Sequence, residues 1–351
     1  MFDSLETPCV LIDVDRVEAN LKRAQNFADA HGVKLRPHIK THKLPRFALR
    51  QVELGAIGIT CQKLGEAEVM ADAGVKNIFL PYNILGASKL ARLRALADRV
   101  TMSVTADSKV TVDGLSRAFS DAAQPLQVLV ECDTGMGRCG VQTPDEALTL
   151  ARAIDAAPGL IFGGLMTYPA AGKVEANAAW LDAAEALLSR AGLRPRVISN
   201  GGTPDMWRAF AVSAATEHRP GTYIYLDRYQ VAKGAGTLDD CALTVLATVV
   251  SRPTENRAVI DAGAKALTSD TLGLDGFGLV LGYPDAVIRS LSEEHGVIDL
   301  SASLQKPAIG ERLRIIPNHA CVVSNLFDEV TLISTDKVVE TIPVAARGRV
   351  D

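Results

Sequence analysis

The feature that most constrains this chain is an alternation of short β-branched runs with longer amphipathic stretches across its first two-thirds. Each strand-like run is followed by a segment whose apolar side chains recur every three or four residues, which is typical of a helix. About eight such units in roughly 230 residues predict a (β/α)8 barrel, in which helices connect parallel strands. A doubly wound sheet is the alternative, but no GxGxxG motif follows the first predicted strand.

The pattern changes after about residue 238, where β-type runs follow one another with little helix between them. This predicts a separate, mostly antiparallel domain. We therefore predict a barrel over 12–238 and a β domain over 239–351 that also takes residues 1–11. The predicted barrel-region strands are 10–12, 34–39, 57–61, 77–80, 101–104, 126–131, 161–166 and 196–199. The predicted helices include 14–31, 44–54, 64–73, 89–97, 145–157 and 176–191.

Charge and cysteine usage exclude several classes of protein. A net charge of −4 offers no broad basic surface, so we expect neither a nucleic-acid partner nor a membrane partner. No apolar run approaches the roughly 18 residues that span a bilayer, and residues 1–8 do not resemble a signal peptide. The six cysteines are scattered without a CxxC pair, which favours reduced thiols and a cytoplasmic location.

The densest group of polar residues, 36–43, lies at the end of a predicted barrel strand and contains Lys40 and His42. The carboxyl ends of barrel strands are where this architecture carries its chemistry. A lysine there can form a Schiff base when burial or nearby cations lower its pKa. A basic surface loop is the alternative interpretation, but the strand-end position and the loops described next favour a catalytic lysine.

Three glycine-containing loops also contain candidate residues, and two of them follow predicted strands while 219–223 follows a further strand-like stretch. Residues 199–203 (SNGGT) and 219–223 (RPGTY) combine backbone that can approach a phosphate closely with hydroxyl and N–H donors. Barrel enzymes often bind phosphate with the loops of the last strands, although each loop alone is also compatible with a plain turn. In the third loop, 133–140, Arg138 could face an anionic group or could be purely structural.

The second predicted domain contains His319 and Cys321, separated by one residue. On an extended segment both side chains would lie on one face, because strand side chains alternate with a period of two. Imidazole and thiolate together suit zinc, and two protein ligands would leave positions for water or substrate, as at a catalytic metal. The alternative is a buried cysteine beside an ordinary histidine.

Taken together, these segments resemble the fold-type III, alanine-racemase-like pyridoxal-phosphate enzymes, and within them the D-threonine aldolase and D-serine dehydratase group. The resemblance runs through nearly the whole chain, and RPHIKTHK and PNHAC are its most specific motifs. The matching stretches are TPCVLID (7–13), RPHIKTHK (36–43), TCQKLGEAEVM (60–70), DTGMGRCGV (133–141), SNGGTP (199–204), RPGTYIYLD (219–227) and PNHACVVSN (317–325).

The resemblance implies a cofactor site. Lys40 would form the internal aldimine with pyridoxal 5'-phosphate, and Arg138 would lie near the phenolic oxygen of the cofactor. Gln62 would line the pocket, and Tyr168 would lie near the pyridine ring. The residues implied at the phosphate are Ser199, Gly201, Gly202, Thr203, Gly221 and Thr222, with Tyr223 beside them.

It also implies a metal site and a possible acid–base group. His319 and Cys321 would bind a divalent ion such as zinc, manganese or magnesium. His42, two residues beyond Lys40 and on the same face if the strand continues, could assist proton transfer. The family fold is a barrel followed by a β domain, and its members are usually homodimers.

The resemblance implies a lyase that acts on D-3-hydroxy amino acids. Aldol cleavage to glycine and an aldehyde is the preferred prediction. Dehydration of D-serine or D-3-hydroxyaspartate to an oxo acid and ammonia is the alternative, because both reactions need the same lysine and metal. A racemase is less favoured because it needs a second base, typically a tyrosine, and no racemase-type tyrosine motif is evident in the second predicted domain. A non-catalytic cofactor-binding protein would be a single barrel, without the second domain seen in this sequence.

Overall fold

The protein is described from a computed structural model, and the structure describes residues 2–351. The chain forms two compact units, each assembled from separate stretches of sequence. The barrel unit comprises 24–40, 44–221 and 349–351, and the β unit comprises the N-terminal residues up to 23 together with 41–43 and 222–348. The predicted boundary is near residue 238, whereas the contacts within each unit divide the chain at 221.

The N-terminal strand β1 (Cys9–Asp13) and helix α1 (Val14–Ala30) precede the barrel strands. The eight barrel strands are β2 (Lys34–Leu35), β3 (Ile59–Thr60), β4 (Asn77–Leu80), β5 (Thr101–Ala106), β6 (Leu126–Cys132), β7 (Leu160–Thr167), β8 (Val197–Asn200) and β9 (Glu217–His218). The helices that alternate with them are α2 (Pro45–Glu53), α3 (Leu64–Asp72), α4 (Ala87–Ala97), α5 (Lys109–Phe119), α6 (Pro144–Asp155) and α7 (Val174–Arg190).

The eight barrel strands are parallel and lie in the order β2-β9-β8-β7-β6-β5-β4-β3, so β2 lies beside the last strand of the series. An isolated parallel bridge between His38 and Thr60 continues the pairing from the end of β2 to β3. This confirms the predicted (β/α)8 architecture. One strand differs from the prediction. Residues 10–12 pair outside the barrel, and the eighth barrel strand is the two-residue β9, which has no apolar pattern.

Helix α6 shows how local sequence sets an element of the barrel unit. The hydroxyl of Thr143 accepts from the backbone N–H of Glu146, and the carboxylate of Glu146 accepts from the N–H of Thr143, which forms a capping box. Proline follows the cap at the first helical position, where its missing N–H costs no hydrogen bond. The buried face of the helix carries Ala147, Leu150, Ala151 and Ile154.

The β unit is mostly antiparallel, as predicted. Its helices are α8 (Arg228–Ala232), α9 (Ala264–Leu267) and α10 (Ala320–Leu326). Its later strands are β10 (Leu243–Thr254), β11 (Arg257–Ile260), β12 (Leu279–Val280), β13 (Val287–Leu291), β14 (Gly296–Asp299), β15 (Arg312–Ile316), β16 (Glu329–Ser334) and β17 (Lys337–Pro343). The order β11-β14-β13-β12-β15-β10 closes into a barrel because β10 also pairs with β11.

The N-terminal strand completes this second sheet. β1 pairs antiparallel with β10 and parallel with β16, and β16 pairs with β17. Residues 10–12 are completely buried, so their apolar run matches a central strand covered on both faces. Within residues 2–351, no helix has the length and apolar character needed to cross a bilayer.

Gly164 provides a test of the barrel packing. It has a φ of +141°, and a Cβ at this position would lie 1.8 Å from the carbonyl oxygen of Val197 on the neighbouring strand. Gly164→Ala should therefore lower the free energy of unfolding by more than Gly172→Ala. Gly172 also has a positive φ, +77°, but a Cβ added there would meet no neighbouring atom within 4 Å.

We expect Gly172→Ala to lower the free energy of unfolding by about 1–2 kcal/mol through backbone strain alone. Gly164→Ala should lose a further 1–3 kcal/mol or so through overpacking. Urea denaturation of both variants measures the difference. Equal losses of stability would show that the close approach of β7 to β8 does not constrain the fold.

Candidate active site

Lys40 follows the first barrel strand but not directly, because β2 ends at Leu35 and not at residue 39 as predicted. It is carried by a short 3-10 turn, Ile39–Thr41, and its side chain is half-buried. The buried ring of His38 precedes this turn, and its Nε2 lies 3.0 Å from Oε1 of Gln62. The structure thus brings Gln62, predicted to line a cofactor pocket, into contact with the segment that carries Lys40.

The loop after β8 contains or adjoins four more of the predicted cofactor residues. Gly201 has a φ of +84°, and a Cβ there would lie 2.1 Å from the imidazole of His218, so glycine is required. A Cβ on Gly202 would lie 2.7 Å from the ring of Tyr168, and the guanidinium of Arg138 stands 5.1 Å from the centroid of the same ring. Closely approachable backbone, an aromatic ring and a cation suit an anionic aromatic group such as pyridoxal phosphate.

Ser199 has a different environment from the one predicted. Its hydroxyl donates to Oε1 of Glu217 at 2.6 Å and accepts from Nε of Arg219 at 2.7 Å. Because a serine hydroxyl has a single hydrogen, none is left to donate to a phosphate oxygen. The nearby hydroxyl of Thr203 accepts from the backbone N–H of Gly221 at 3.1 Å, so the two predicted phosphate loops contact each other.

Glu131 is a buried ionisable residue that the sequence reasoning missed. It lies next to the last residue of β6, and burial raises the pKa of its carboxyl to about 7. The negative charge of Asp107 adds to this increase, while Arg138 and Arg219 oppose it. The available signal was a carboxylate in a strand, LQVLVEC, whose other residues are apolar except Gln127.

The assumption behind His42 is wrong, because the strand does not continue beyond Lys40. β2 ends at Leu35, and Ile39–Thr41 forms a 3-10 turn. Successive side chains rotate by about 120° in such a turn, so residues two apart do not share a face. His42 is completely buried and belongs to the β unit.

The expectation that His319 and Cys321 share a strand is also wrong. His319 has extended backbone, with φ −139° and ψ 94°, and immediately precedes α10, whose first turn contains Cys321. The two side chains are nevertheless hydrogen-bonded to each other. The change from extended to helical backbone thus brings the imidazole and the thiol together by a route different from the predicted one.

Both side chains have additional partners within the β unit. Nδ1 of His319 lies 2.7 Å from Oδ2 of Asp270, and the hydroxyls of Thr41 and Thr222 lie 3.1 and 3.3 Å from Sγ of Cys321. Burial lowers the pKa of His319, but its hydrogen bonds with Cys321 and Asp270 and the negative charges of Cys321 and Asp227 outweigh burial and raise the pKa to about 9. Thr222, predicted at the phosphate, therefore also contacts a predicted metal ligand.

The remaining predicted residue, Tyr223, follows Thr222 in the short 3-10 helix Thr222–Ile224 and is buried. The imidazole and thiol fit a divalent ion with open coordination positions. Across residues 2–351, no group of three or more His, Cys, Asp and Glu side chains could enclose a metal. Two protein ligands would leave room for water or an oxygen of the substrate.

The fold and these residues agree with a known family. The alanine racemase N-terminal domain family matches residues 12–229, and a putative serine dehydratase domain matches residues 242–333. The first match covers more than half of the chain, which therefore belongs to the alanine racemase N-terminal domain family. It is a pyridoxal-phosphate-dependent lyase with a divalent metal ion as a second cofactor.

Two characterised relatives span nearly the whole chain. D-threonine aldolase of Arthrobacter sp. is 37% identical over 360 residues, covering 98% of this chain and 93% of the relative. 3-Hydroxy-D-aspartate aldolase of Paracoccus denitrificans is 32% identical over 366 residues, with the same two coverages.

Solved structures give the same grouping. D-threonine aldolase from Filomicrobium marinum superposes with a TM-score of 0.92 at 32% identity, over 100% of this chain and 97% of the other. A cysteine-to-alanine variant of D-threo-3-hydroxyaspartate dehydratase, solved in the metal-free form, gives 0.88 at 30% identity and covers 97% of each chain.

The buried imidazole beside Gly201 predicts a pH effect on stability. Burial and the neighbouring Arg219 lower the pKa of His218 to about 4. As the pH falls below about 6.5, the unfolded chain takes up a proton that the folded protein does not accept until about pH 4. Relative to His218→Asn, the wild type should therefore lose stability between pH 6.5 and 4, by about 2 kcal/mol at pH 5.

Urea denaturation at pH 7 and pH 5 measures this change. His295→Asn, at an exposed histidine, is the matched control. If the free energies of unfolding of the wild type and His218→Asn differ by the same amount at both pH values, the prediction is contradicted.

Proposed function

We propose that this enzyme cleaves D-3-hydroxy amino acids to glycine and an aldehyde, as a D-threonine aldolase does. The observation that carries the proposal is the contact between His319 and Cys321 in a chain whose barrel carries Lys40 in the turn that follows its first strand. A metal at this pair would act on a substrate oxygen, which selects substrates with a β-hydroxyl. The full-length similarity to two aldolases supports the same reaction.

We assign the cofactor to the barrel unit. Lys40 would hold it covalently, Arg138 and Tyr168 would contact its ring, and Gln62 would line its pocket. Pyridoxal phosphate, when bound, supplies an electron sink, and the protein determines which bond of the substrate breaks. The groups assigned to its phosphate are the loop residues Gly201, Gly202, Thr203 and Gly221, with Thr222, Tyr223 and the backbone of Ser199 beside them.

The metal is assigned to His319 and Cys321, where it would supply Lewis acidity toward the β-hydroxyl. Thr41 follows Lys40 in the chain, Thr222 follows Gly221, and both hydroxyls contact the Cys321 thiol. Thr41 and Thr222 therefore contact the metal ligand Cys321, although one is the neighbour in sequence of the cofactor lysine and the other of a phosphate-loop glycine. Their hydroxyls would donate to the thiolate and so stabilise the form of cysteine that binds metal.

The protein's own proton transfers distinguish two outcomes. In cleavage, the β-hydroxyl gives its proton to solvent, the Cα–Cβ bond breaks to release the aldehyde, and the protonated Lys40 amine can give a proton to Cα to form glycine. In dehydration, the same amine removes the Cα proton and hydroxide leaves Cβ. Dehydration is the second candidate. The structurally similar D-threo-3-hydroxyaspartate dehydratase has been solved without metal as a cysteine-to-alanine variant.

Assembly and location are further parts of the proposal. We propose that the enzyme is a cytoplasmic homodimer whose only ligands are its cofactors and its small-molecule substrate. The scattered cysteines support the cytoplasmic location, and the net charge of −4 supports the absence of nucleic-acid and membrane partners. The homodimer rests on the resemblance to the family.

The role of Lys40 predicts a spectroscopic change. The holoenzyme should show the visible absorbance of a lysine-linked pyridoxal phosphate, and Lys40→Ala should abolish it because the variant lacks the amine that forms this bond. Lys34→Ala is the matched control, since Lys34 is exposed on the strand that leads to the same segment. Loss of the absorbance in the control, or its persistence in Lys40→Ala, would contradict the assignment.

The products define the reaction. Incubation with D-threonine, D-phenylserine and D-serine should give glycine and the corresponding aldehyde from the first two substrates. EDTA should remove activity while leaving the cofactor absorbance, because the metal and the cofactor have different ligands. Oxo acid and ammonia as the main products would establish the dehydratase, and full activity after complete metal removal would contradict the metal role.

A further inference from the structure

The imidazole of His319 is oriented by a carboxylate outside every motif in the sequence. Its Nδ1 lies 2.7 Å from Oδ2 of Asp270, and the two residues form an ion pair when the imidazole is protonated. A carboxylate accepts hydrogen bonds and does not donate them, so Nδ1 carries the hydrogen in this contact. In the neutral imidazole, the lone pair available to a metal is then on Nε2.

Asp270 is itself held in place by its neighbours. Nδ2 of the buried Asn318 donates to the carbonyl oxygens of Asp270 and Gly276, at 3.1 and 2.8 Å. The backbone N–H of Asp270 donates to the hydroxyl of Thr268 at 3.3 Å. Because Asn318 immediately precedes His319, the residue next to the ligand fixes the loop that carries the carboxylate.

Arg228 extends this support. Its Nη1 donates to Oδ1 of Asn318 at 2.8 Å and to the carbonyl oxygen of Asp275 at 3.0 Å. The side-chain amide of Asn318 therefore has partners on both its oxygen and its nitrogen. A fully bonded, buried amide leaves the loop little freedom to move relative to His319.

We propose that Asp270 is a positioning residue for the metal centre, which fixes the tautomer and orientation of His319 so that Nε2 faces the metal. The inference rests on the proposed function, because it requires a metal at His319 and Cys321. Asp270 is not assigned as a ligand, since the residues from 2 to 351 contain no group of three metal-binding side chains. Carboxylates that hold a ligating histidine in this way typically contribute 10–100-fold to metal affinity.

The test measures metal binding directly, with Co²⁺ as the probe. Metal-free holoenzyme is titrated with Co²⁺ by calorimetry, and the cobalt absorbance bands report the coordination. Asp270→Ala should weaken the affinity by about 10–100-fold, while the cofactor absorbance is unchanged. Asp270→Asn should lose less, because its amide oxygen can still accept the Nδ1 hydrogen.

Asp275→Ala is the matched control. Asp275 lies on the same loop, and its carboxylate pairs with Arg289 instead of His319. We expect the control to bind Co²⁺ as the wild type does. Activity of Asp270→Ala should recover at high metal concentration, because the variant lacks affinity and not chemistry.

Asp270→Ala with an affinity within twofold of the wild type would overturn the inference. If Asp270→Asn binds Co²⁺ as weakly as Asp270→Ala does, Asp270 does not act by orienting His319, because only its charge would then matter. Failure of the proposed metal centre is distinguished by Cys321→Ala. If the wild type and Cys321→Ala bind Co²⁺ equally, the assigned centre itself is wrong.

Discussion

The barrel depends on a network of buried charges at the place where its strands are shortest. β2, β3 and β9 have two residues each, so few backbone hydrogen bonds join them. Nε of Arg36 donates to Glu217 at 2.9 Å and its Nη1 donates to Asn77 at 2.6 Å, while Ser199 connects Glu217 to Arg219. Because a buried charge without a partner is strongly destabilising, these side chains fix the register that the short strands cannot fix alone.

This arrangement explains which parts of the fold could be predicted. The long strands and amphipathic helices have periodic apolar patterns, and their alternation gave the correct (β/α)8 architecture. β9 was missed because its residues, Glu217 and His218, are polar and buried by pairing instead of by apolar character. β1 was counted with the barrel because a run of buried apolar residues does not reveal which sheet it joins.

The residues of the candidate site also fall into those that the sequence predicts and those that it does not. Lys40 and the pair His319 and Cys321 were predicted because each lies in a compact motif. Glu131 and Asp270 were missed because their contacts arise only in the folded chain, and Asp270 is separated from His319 by 49 positions. The backbone between His319 and Cys321 was also predicted wrongly, since three residues contain too little pattern to distinguish a strand from the start of a helix.

The pairing of β1 has a consequence for the order in which the chain acquires its structure. β1 joins β10 and β16, and β16 lies close to the other end of the sequence. During synthesis, residues 14–242 must be made before β10 begins, and β16 follows much later, so β1 remains unpaired until at least residue 243 is available. The barrel unit, by contrast, draws nearly all of its residues from 24–221. Its strands pair mainly with near neighbours in sequence, which favours early assembly, whereas the β unit has the long contacts that slow folding.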